Sequence, residues 1–361
     1  MNYILADGTF REALLPLTYT RPISDIRIGI LTIKEKWEKH LGVTVSDKTE
    51  AYLSEKFPLV SGSDNVVIHS IFLPNPELVS AINALSENEM LLYGETIVAY
   101  RTTHVELEPS LDAFKKVSFE RELMTVTNPW DIFSKNGEAL QADFELLTDG
   151  RKSQPLSETN QVVNPENIFL EEGASVEFSI LNAATGPIYI GKNAIILEGC
   201  IVRGALALCD SAILKMGAKI YGPTTAGPGC KLGGEVNNSV LFANSNKGHE
   251  GFLGNSVLGE WCNLGADTNT SNLKNNYAEV RLWSYQTEGF ARTGLQFCGL
   301  IMGDHSKCGI NTMFNTGTVV GVSANIFGSG YPRNFIPSFT WGGASGFTTY
   351  LPKKAYEAAT A

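Results

Sequence analysis

The 361 residues predict two architectures in series, a Rossmann-like α/β domain and then an all-β left-handed parallel β-helix of hexapeptide repeats. Three observations carry that prediction. Counting by sixes from Ile190 lands on Ile196, Val202, Leu208, Leu214, Ile220, Ala226 and Leu232, an almost unbroken row of large aliphatics. A helix returns its apolar face every 3.6 residues and a strand every two, so neither alone keeps a period of six over this length. In a hexapeptide solenoid each unit is one short strand plus a turn, its aliphatic points inward, and three units close a triangular coil. The second observation is recurrence: after a two-residue slip the register returns at Val240, Phe252, Leu258 and Leu264, and again at Met302, Cys308, Phe314, Val320 and Ile326. The third is charge. Residues 1–160 hold 15 Lys+Arg and 24 Asp+Glu against 13 and 14 in the remainder, and the polar stretch 151–161, with Pro155, reads as a surface linker. The expected boundaries are 1–160 for the α/β domain, 161–335 for the β-helix and 336–361 for a C-terminal extension. A Gly-rich antiparallel β protein would instead alternate with period two and carry frequent hairpin signals.

Within the first domain, Tyr3-Ile-Leu-Ala6 reads as a strand running into a loop with Gly8 and Arg11. Asp25 to Leu41, with Ile26, Ile30, Ile33 and Trp37 at helical steps, predicts an amphipathic helix. Val43–Val45, Val66–Ile68, Met90–Leu92 and Ile97–Ala99 read as strands, and Asn75-Pro76 opens a helix. Apolar runs between helices imply a mainly parallel sheet. Pro129–Phe133 and Asp143–Leu147 close the domain, and the coils begin near Asn164.

Composition excludes several classes. A net charge of −10 argues against a general nucleic-acid surface. No apolar run approaches the roughly 18 residues of a membrane span, and the apolar start meets Asp7 too soon for a signal peptide. All six cysteines lie in the β-helix half with no C-x-x-C pair, the pattern of buried reduced thiols. These features place the protein in the cytoplasm.

Chemistry is expected where the solenoid departs from its repeat. Departures fall at 234–249 and at 263–277, both rich in asparagine. His249, between Lys247 and Glu250, has a side chain suited to taking a proton near neutral pH, and His305 competes for that role. In the first domain a strand, a glycine and an arginine at a sheet edge can wrap a phosphate. Asp7, Asp64 and Asp131 are carboxylates that could hold Mg2+ between phosphates, with Asp64 and Asp131 taken as the metal candidates.

The order Leu5-Ala6-x-Gly8, Arg11, Leu15-Pro16-Leu17-Thr18 resembles the opening of sugar-nucleotide pyrophosphorylases, including the glucose-1-phosphate thymidylyltransferases. That resemblance implies a loop holding a nucleoside triphosphate through Leu5, Ala6 and Gly8, with Arg11 on its phosphates. Ile23 stands where the family's lysine is expected, and Arg21 could supply that charge.

A second resemblance covers the β-helix. Gly248-His249, Leu253 to Ala266 and Asn272 are similar to the acetyltransferase half of bifunctional N-acetylglucosamine-1-phosphate uridylyltransferase/glucosamine-1-phosphate acetyltransferases. Its catalytic histidine falls on His249 and its asparagines on Asn263 and Asn272, while its sugar-binding strand falls on Glu235-Val236-Asn237. Asn237 replaces the family's lysine and Phe252 its tyrosine. Together the two resemblances follow the family's domain order and identify a divergent bacterial form. They imply His249 as base, Asn263 as oxyanion donor, and Glu235, Asn237, Lys219, Lys247 and Asn272 on a sugar phosphate. Acetyl-CoA would lie against Ala266 and Arg333, Mg2+ would screen the phosphates, and the assembly would be a homotrimer. Three other readings remain: a single-activity nucleotidyltransferase or acyltransferase, a non-catalytic scaffold that binds sugar nucleotides, and a metalloenzyme needing more coil histidines than the two present.

Overall fold

The computed structural model describes residues 1–105 and 112–360. The chain forms two compact units: Met1–Leu14, Thr20–Ile26 and Leu31–Asn128 in the first, and Leu15–Tyr19, Arg27–Ile30 and the chain from Pro129 onward in the second.

The first unit is built on a six-stranded sheet: β1 (Asn2–Ala6), β2 (Ser46–Lys48), β3 (Asn65–His69), β4 (Glu89–Tyr93), β5 (Thr96–Thr102) and β6 (Lys115–Ser118) in the order β2-β1-β3-β5-β4-β6. β1 pairs parallel with β2 and β3, and β4 with β6. β5 runs antiparallel to both β3 and β4, so the sheet is mixed rather than mainly parallel. The cause is local. Only Gly94 and Glu95 separate β4 from β5, and so short a link can join only antiparallel neighbours, with Gly94 taking the positive φ of the turn. Ile4, Ala6, Val67, Met90 and Tyr100 form a buried cluster on this sheet.

The expected helix from Asp25 begins later. α1 spans Ile33–Leu41 because Thr32 and Glu35 form a capping box there, and it ends at Gly42 in the left-handed region. Ile23–Asp25 is a single 3-10 turn, and the strand expected at Val43–Val45 forms at Ser46–Lys48 instead. α2 (Pro76–Asn83) starts as predicted, with the Asn75 side chain accepting from the Leu78 N–H.

The second unit is the expected parallel β-helix. Its strands fall on three faces. The first face runs through 161–163, 180–182, 201–203, 219–221, 235–237 and 252–254. The second carries 168–170 through 335–336, and the third carries 175–176 through 346–349. Every aliphatic of the row from Ile190 to Leu232 is buried in one core with Met302, Cys308, Phe314, Val320 and Ile326.

Between these stretches Leu258 and Leu264 are inward as expected, but from Val236 to Leu253 the register slips by one. The inward residues are Val236, Leu241, Lys247 and Leu253, whereas Phe252 faces outward in register with Glu235. The reason is two short steps. Turns from the third face to the first use four residues, as at 215–218 and 265–268, but only Gly233 and Gly234 link Leu232 to Glu235. A gap of two keeps a strand's inward and outward sets, but the next inward step, from Val236 to Leu241, is five residues instead of six, and that odd step turns the sets over and carries Lys247 inward.

The second face is covered by α3 (Pro129–Ser134), α4 (Asn136–Thr148) and the segment 27–30: Asn136 donates to the Pro223 carbonyl at 3.1 Å, and Thr225 Oγ1 donates to the Gly29 carbonyl at 2.9 Å. An insertion between Thr270 and Leu300 carries an antiparallel hairpin, Arg281–Ser284 with Gly289–Arg292, whose Trp283 stacks on Phe335 at 4.2 Å. α5 (Pro352–Thr360) ends the described chain. No helix among the described residues is long and apolar enough to cross a membrane.

Candidate active sites

In the first unit the carboxyl ends of β1 and β3 and the loop after β2 enclose a cleft of about 370 Å³ lined by Ala6, Asp7, Gly8, Lys48, Thr49, Glu50, Ala51, His69 and Tyr100. The ends of neighbouring parallel strands are where open α/β sheets take ligands. Leu5 is buried within β1, while Ala6 and Gly8 reach the cleft wall.

The two arginines expected at phosphates do not line this cleft. Arg11 is buried and pairs with Asp7 at 2.9 Å, donates to the Arg21 carbonyl at 3.0 Å and to Tyr52 Oη at 2.7 Å. Arg21 is buried and donates to Asp25 at 3.3 Å. The lysine that does face the cleft is Lys48.

Asp7 also accepts from the Ile23 N–H at 2.7 Å and from Thr49 Oγ1, so it braces the loop; burial raises its carboxyl above the ordinary range, and those bonds act the other way. His69, at the end of β3, is 6% exposed, and its Nδ1 has no hydrogen-bond partner among the described residues. Burial, with Lys48 nearby, pushes it down to about 4, so the ring is neutral at pH 7. A strand-end histidine beside the Gly8 loop was visible in the sequence, but only the β1–β3 register brings it there.

The carboxylates taken as metal candidates do not fit a metal. Both oxygens of Asp64 are held by Arg101, at 2.8 and 2.9 Å, and Asp131 sits 3.7 Å from Lys135. Among the described residues no group of three His, Cys, Asp or Glu side chains is arranged to hold a metal ion.

In the second unit the expected sugar-phosphate residues gather at one edge of the solenoid. Lys219, Glu235 and Phe252 are successive rungs of the first face. Glu235 accepts from Tyr221 Oη at 2.5 Å, and Asn237 pairs in register with Tyr221 and Gly254. Asn272 Nδ2 donates to Asn255 Oδ1 at 2.8 Å and packs over Gly254. Lys219 reaches Glu250 at 3.5 Å, joining this face to the turn 248–251 that carries His249. His249 is exposed, and beside it a Cβ on Gly248 would meet open space. Asn263 is exposed on the third face, in register with Asn246 and Lys307.

Lys247 is the exception. Expected outside on a phosphate, it lies 2% exposed inside the coil, with Nζ donating to the carbonyls of Gly233 and His249. The register slip places it there. His305, the competing histidine, sits one corner away, stacked on Trp261 at 6.4 Å.

A groove of about 580 Å³ continues along the corner that bears His249, lined by Asp267, Asn269, Ile310, Asn311, Met313 and the glycine-rich run 328–330. Asp267 donates its N–H to the Glu250 carbonyl at 3.1 Å, so the groove opens one coil beyond the histidine turn. Ala266 lies at its edge, its carbonyl accepting from the Asn311 N–H at 2.8 Å, and Arg333 is exposed just past the glycine-rich run. No local pattern marks the groove, because its walls are corners from coils far apart along the chain.

Comparison with known proteins agrees with this division. Residues 3–152 match the sugar nucleotidyl transferase family. The bifunctional protein GlmU of Methanococcus maripaludis strain C5 is 25% identical over 297 residues, covering 75% of this chain and 62% of the archaeal protein. That of Methanocaldococcus jannaschii is 35% identical over 89 residues, covering 24% of this chain and 21% of its own. An uncharacterized acetyltransferase, YaiX, of Escherichia coli is 25% identical over 164 residues, covering 45% of this chain and 70% of its own. The chain thus spans just under two thirds of the length of the first of these relatives.

Proposed function

We propose that this divergent GlmU-like protein is a sugar-phosphate transferase with two active sites, acetylating glucosamine-1-phosphate and joining the product to UTP as UDP-N-acetylglucosamine. The observation that carries the reading is the solenoid edge, where the histidine turn, the Lys219–Glu235 face and the 580 Å³ groove meet.

In the acyl step the sugar lies on the first face, with hydroxyls on Glu235, Asn237 and Asn272 and its phosphate on Lys219. Acetyl-CoA occupies the groove, its thioester toward His249 and its phosphates toward Arg333. The amine nitrogen attacks the thioester carbon while His249 takes its proton; the C–S bond then breaks and the thiolate leaves to be protonated as CoA. Asn263 donates to the oxyanion that forms on the carbonyl oxygen. Only the neutral amine attacks, so the rate falls at acid pH.

In the nucleotidyl step the cleft beside Gly8 receives the nucleotide, with Lys48 and loop N–H groups on its phosphates. Mg2+ enters here as the counter-ion of the triphosphate rather than at Asp64 and Asp131. The exposed apolar side chains Phe178, Ile180, Ile201 and Met216 on the early coils support a contact between copies in a homotrimer. The test is to supply glucosamine-1-phosphate, acetyl-CoA, UTP and Mg2+ and to read thiol and pyrophosphate separately. Release of both is expected. Nucleotide and sugar-phosphate binding with neither product would favour a scaffold.

A further inference from the structure

Beside His249 stands a lysine in a slot meant for an aliphatic. Lys247 pairs in register with inward Leu232, in the same column as inward Leu214 and Ile196. An ammonium in such a slot is costly unless its protons are all engaged. Its Nζ donates to the Gly233 carbonyl of the coil below, at 3.2 Å, and to the carbonyl of His249 itself.

The backbone around those carbonyls is unusual in two ways. The turn 248–251 is seated on the short Gly233-Gly234 corner so closely that a Cβ on Gly233 would lie 2.6 Å from the Gly248 carbonyl oxygen, and one on Gly234 would lie 2.8 Å from that of His249. The β-ladder also breaks at this level. Strand 231–232 pairs through both residues with 246–247, and 263–264 through both with 307–308, but between 246–247 and 263–264 only Asn246 pairs with Asn263. Lys247, which leads into the histidine turn, therefore lacks its rung to Leu264 above, and the coil above holds the turn at Glu250, whose carbonyl accepts from the Asp267 N–H.

We propose that Lys247 is a positioning residue for His249: its ammonium ties the His249 carbonyl to the di-glycine corner of the coil below, beside a level where the ladder to the coil above is incomplete, and so fixes the backbone from which the imidazole reaches the amine. This rests on the reading of His249 as the acyl-transfer base. Burial lowers Lys247 to about 8, against the opposing pull of Glu250, Asp267 and Cys308 and with a smaller push from Lys219. The clamp outlasts that titration, because a neutral amine still has a proton for each carbonyl.

The test uses the full chain, glucosamine-1-phosphate and acetyl-CoA, with Lys247→Met, Gly234→Ala, their double variant and His249→Ala. For Lys247→Met, kcat for thiol release is expected to fall at least tenfold, with both KM values within twofold, and with the melting temperature and pyrophosphate release retained. The double variant is expected to lose no more than the worse single one, since both act through one turn. Lys247→Met with kcat within twofold of wild type, while His249→Ala is inactive, overturns the inference and leaves the site reading standing. So does a Lys247→Met loss that merely tracks a fall in melting temperature and in pyrophosphate release. Thiol release surviving His249→Ala overturns both.

Discussion

Acidification should destabilise the N-terminal unit through one histidine. His69 is buried with no partner for Nδ1 among the described residues, and burial, with Lys48 nearby, holds its ring down to about 4 against 6.5 in the unfolded chain. The sign follows from linkage. Above pH 6.5 the ring is neutral in both states and contributes nothing; between 6.5 and 4 the unfolded chain takes a proton that the folded one refuses, so stability falls. Below 4 both states are protonated and the loss levels off. At about 1.4 kcal/mol per unit of pKa difference, the loss is about 2 kcal/mol at pH 5 and about 3 kcal/mol at pH 4. Urea unfolding of wild type and His69→Gln at pH 7, 6, 5 and 4 isolates this contribution, because the variant keeps a polar side chain without the titration. The wild type should lose that much relative to the variant. Curves that stay parallel from pH 7 to 4 would refute the burial argument, since they would mean that His69 charges as readily folded as unfolded.

Asp7→Ala leaves the Arg11 guanidinium without its carboxylate inside the loop, and urea unfolding should show a loss of about 3–5 kcal/mol. Asp64→Asn removes a half-exposed pair with Arg101; its cost should stay below about 1 kcal/mol, and the Mg2+ dependence of pyrophosphate release should not change. All six cysteines are buried, and burial pushes the Cys230 and Cys298 thiols up to about 12, so a thiol reagent should label none of the six until the chain is unfolded.

The solenoid was legible because a strict period of six suits almost no other architecture, and each residue from Ile190 to Leu232 took its expected inward place. Legibility failed first at Gly233-Gly234. The spacing there reads as a slip of two toward Val240, whereas two residues are missing at that corner and one more before Leu241, and together these turned Lys247 from an outward phosphate ligand into a core residue. The N-terminal sheet was read correctly in its main strands, yet β5 reversed direction because a two-residue link outweighs the apolar run that suggests a parallel strand. Of the candidate site, the histidine and the asparagines could be found by spacing. Arg11 could not be placed, because an arginine near a glycine loop reads the same whether it meets a phosphate or, as here, a buried aspartate. His69 and the groove at Ile310 depend on contacts between residues distant in sequence, which no local pattern encodes.

The proposed function assigns acyl transfer to the histidine turn and nucleotidyl transfer to the first unit. The most direct measurement compares wild type and His249→Ala in two assays, thiol release from acetyl-CoA with glucosamine-1-phosphate, and pyrophosphate release from UTP with N-acetylglucosamine-1-phosphate supplied ready-made. Thiol release is predicted to collapse by about two or more orders of magnitude in the variant, while pyrophosphate release is unchanged. Thiol release that persists in His249→Ala, or pyrophosphate release that disappears with it, would contradict that division of labour.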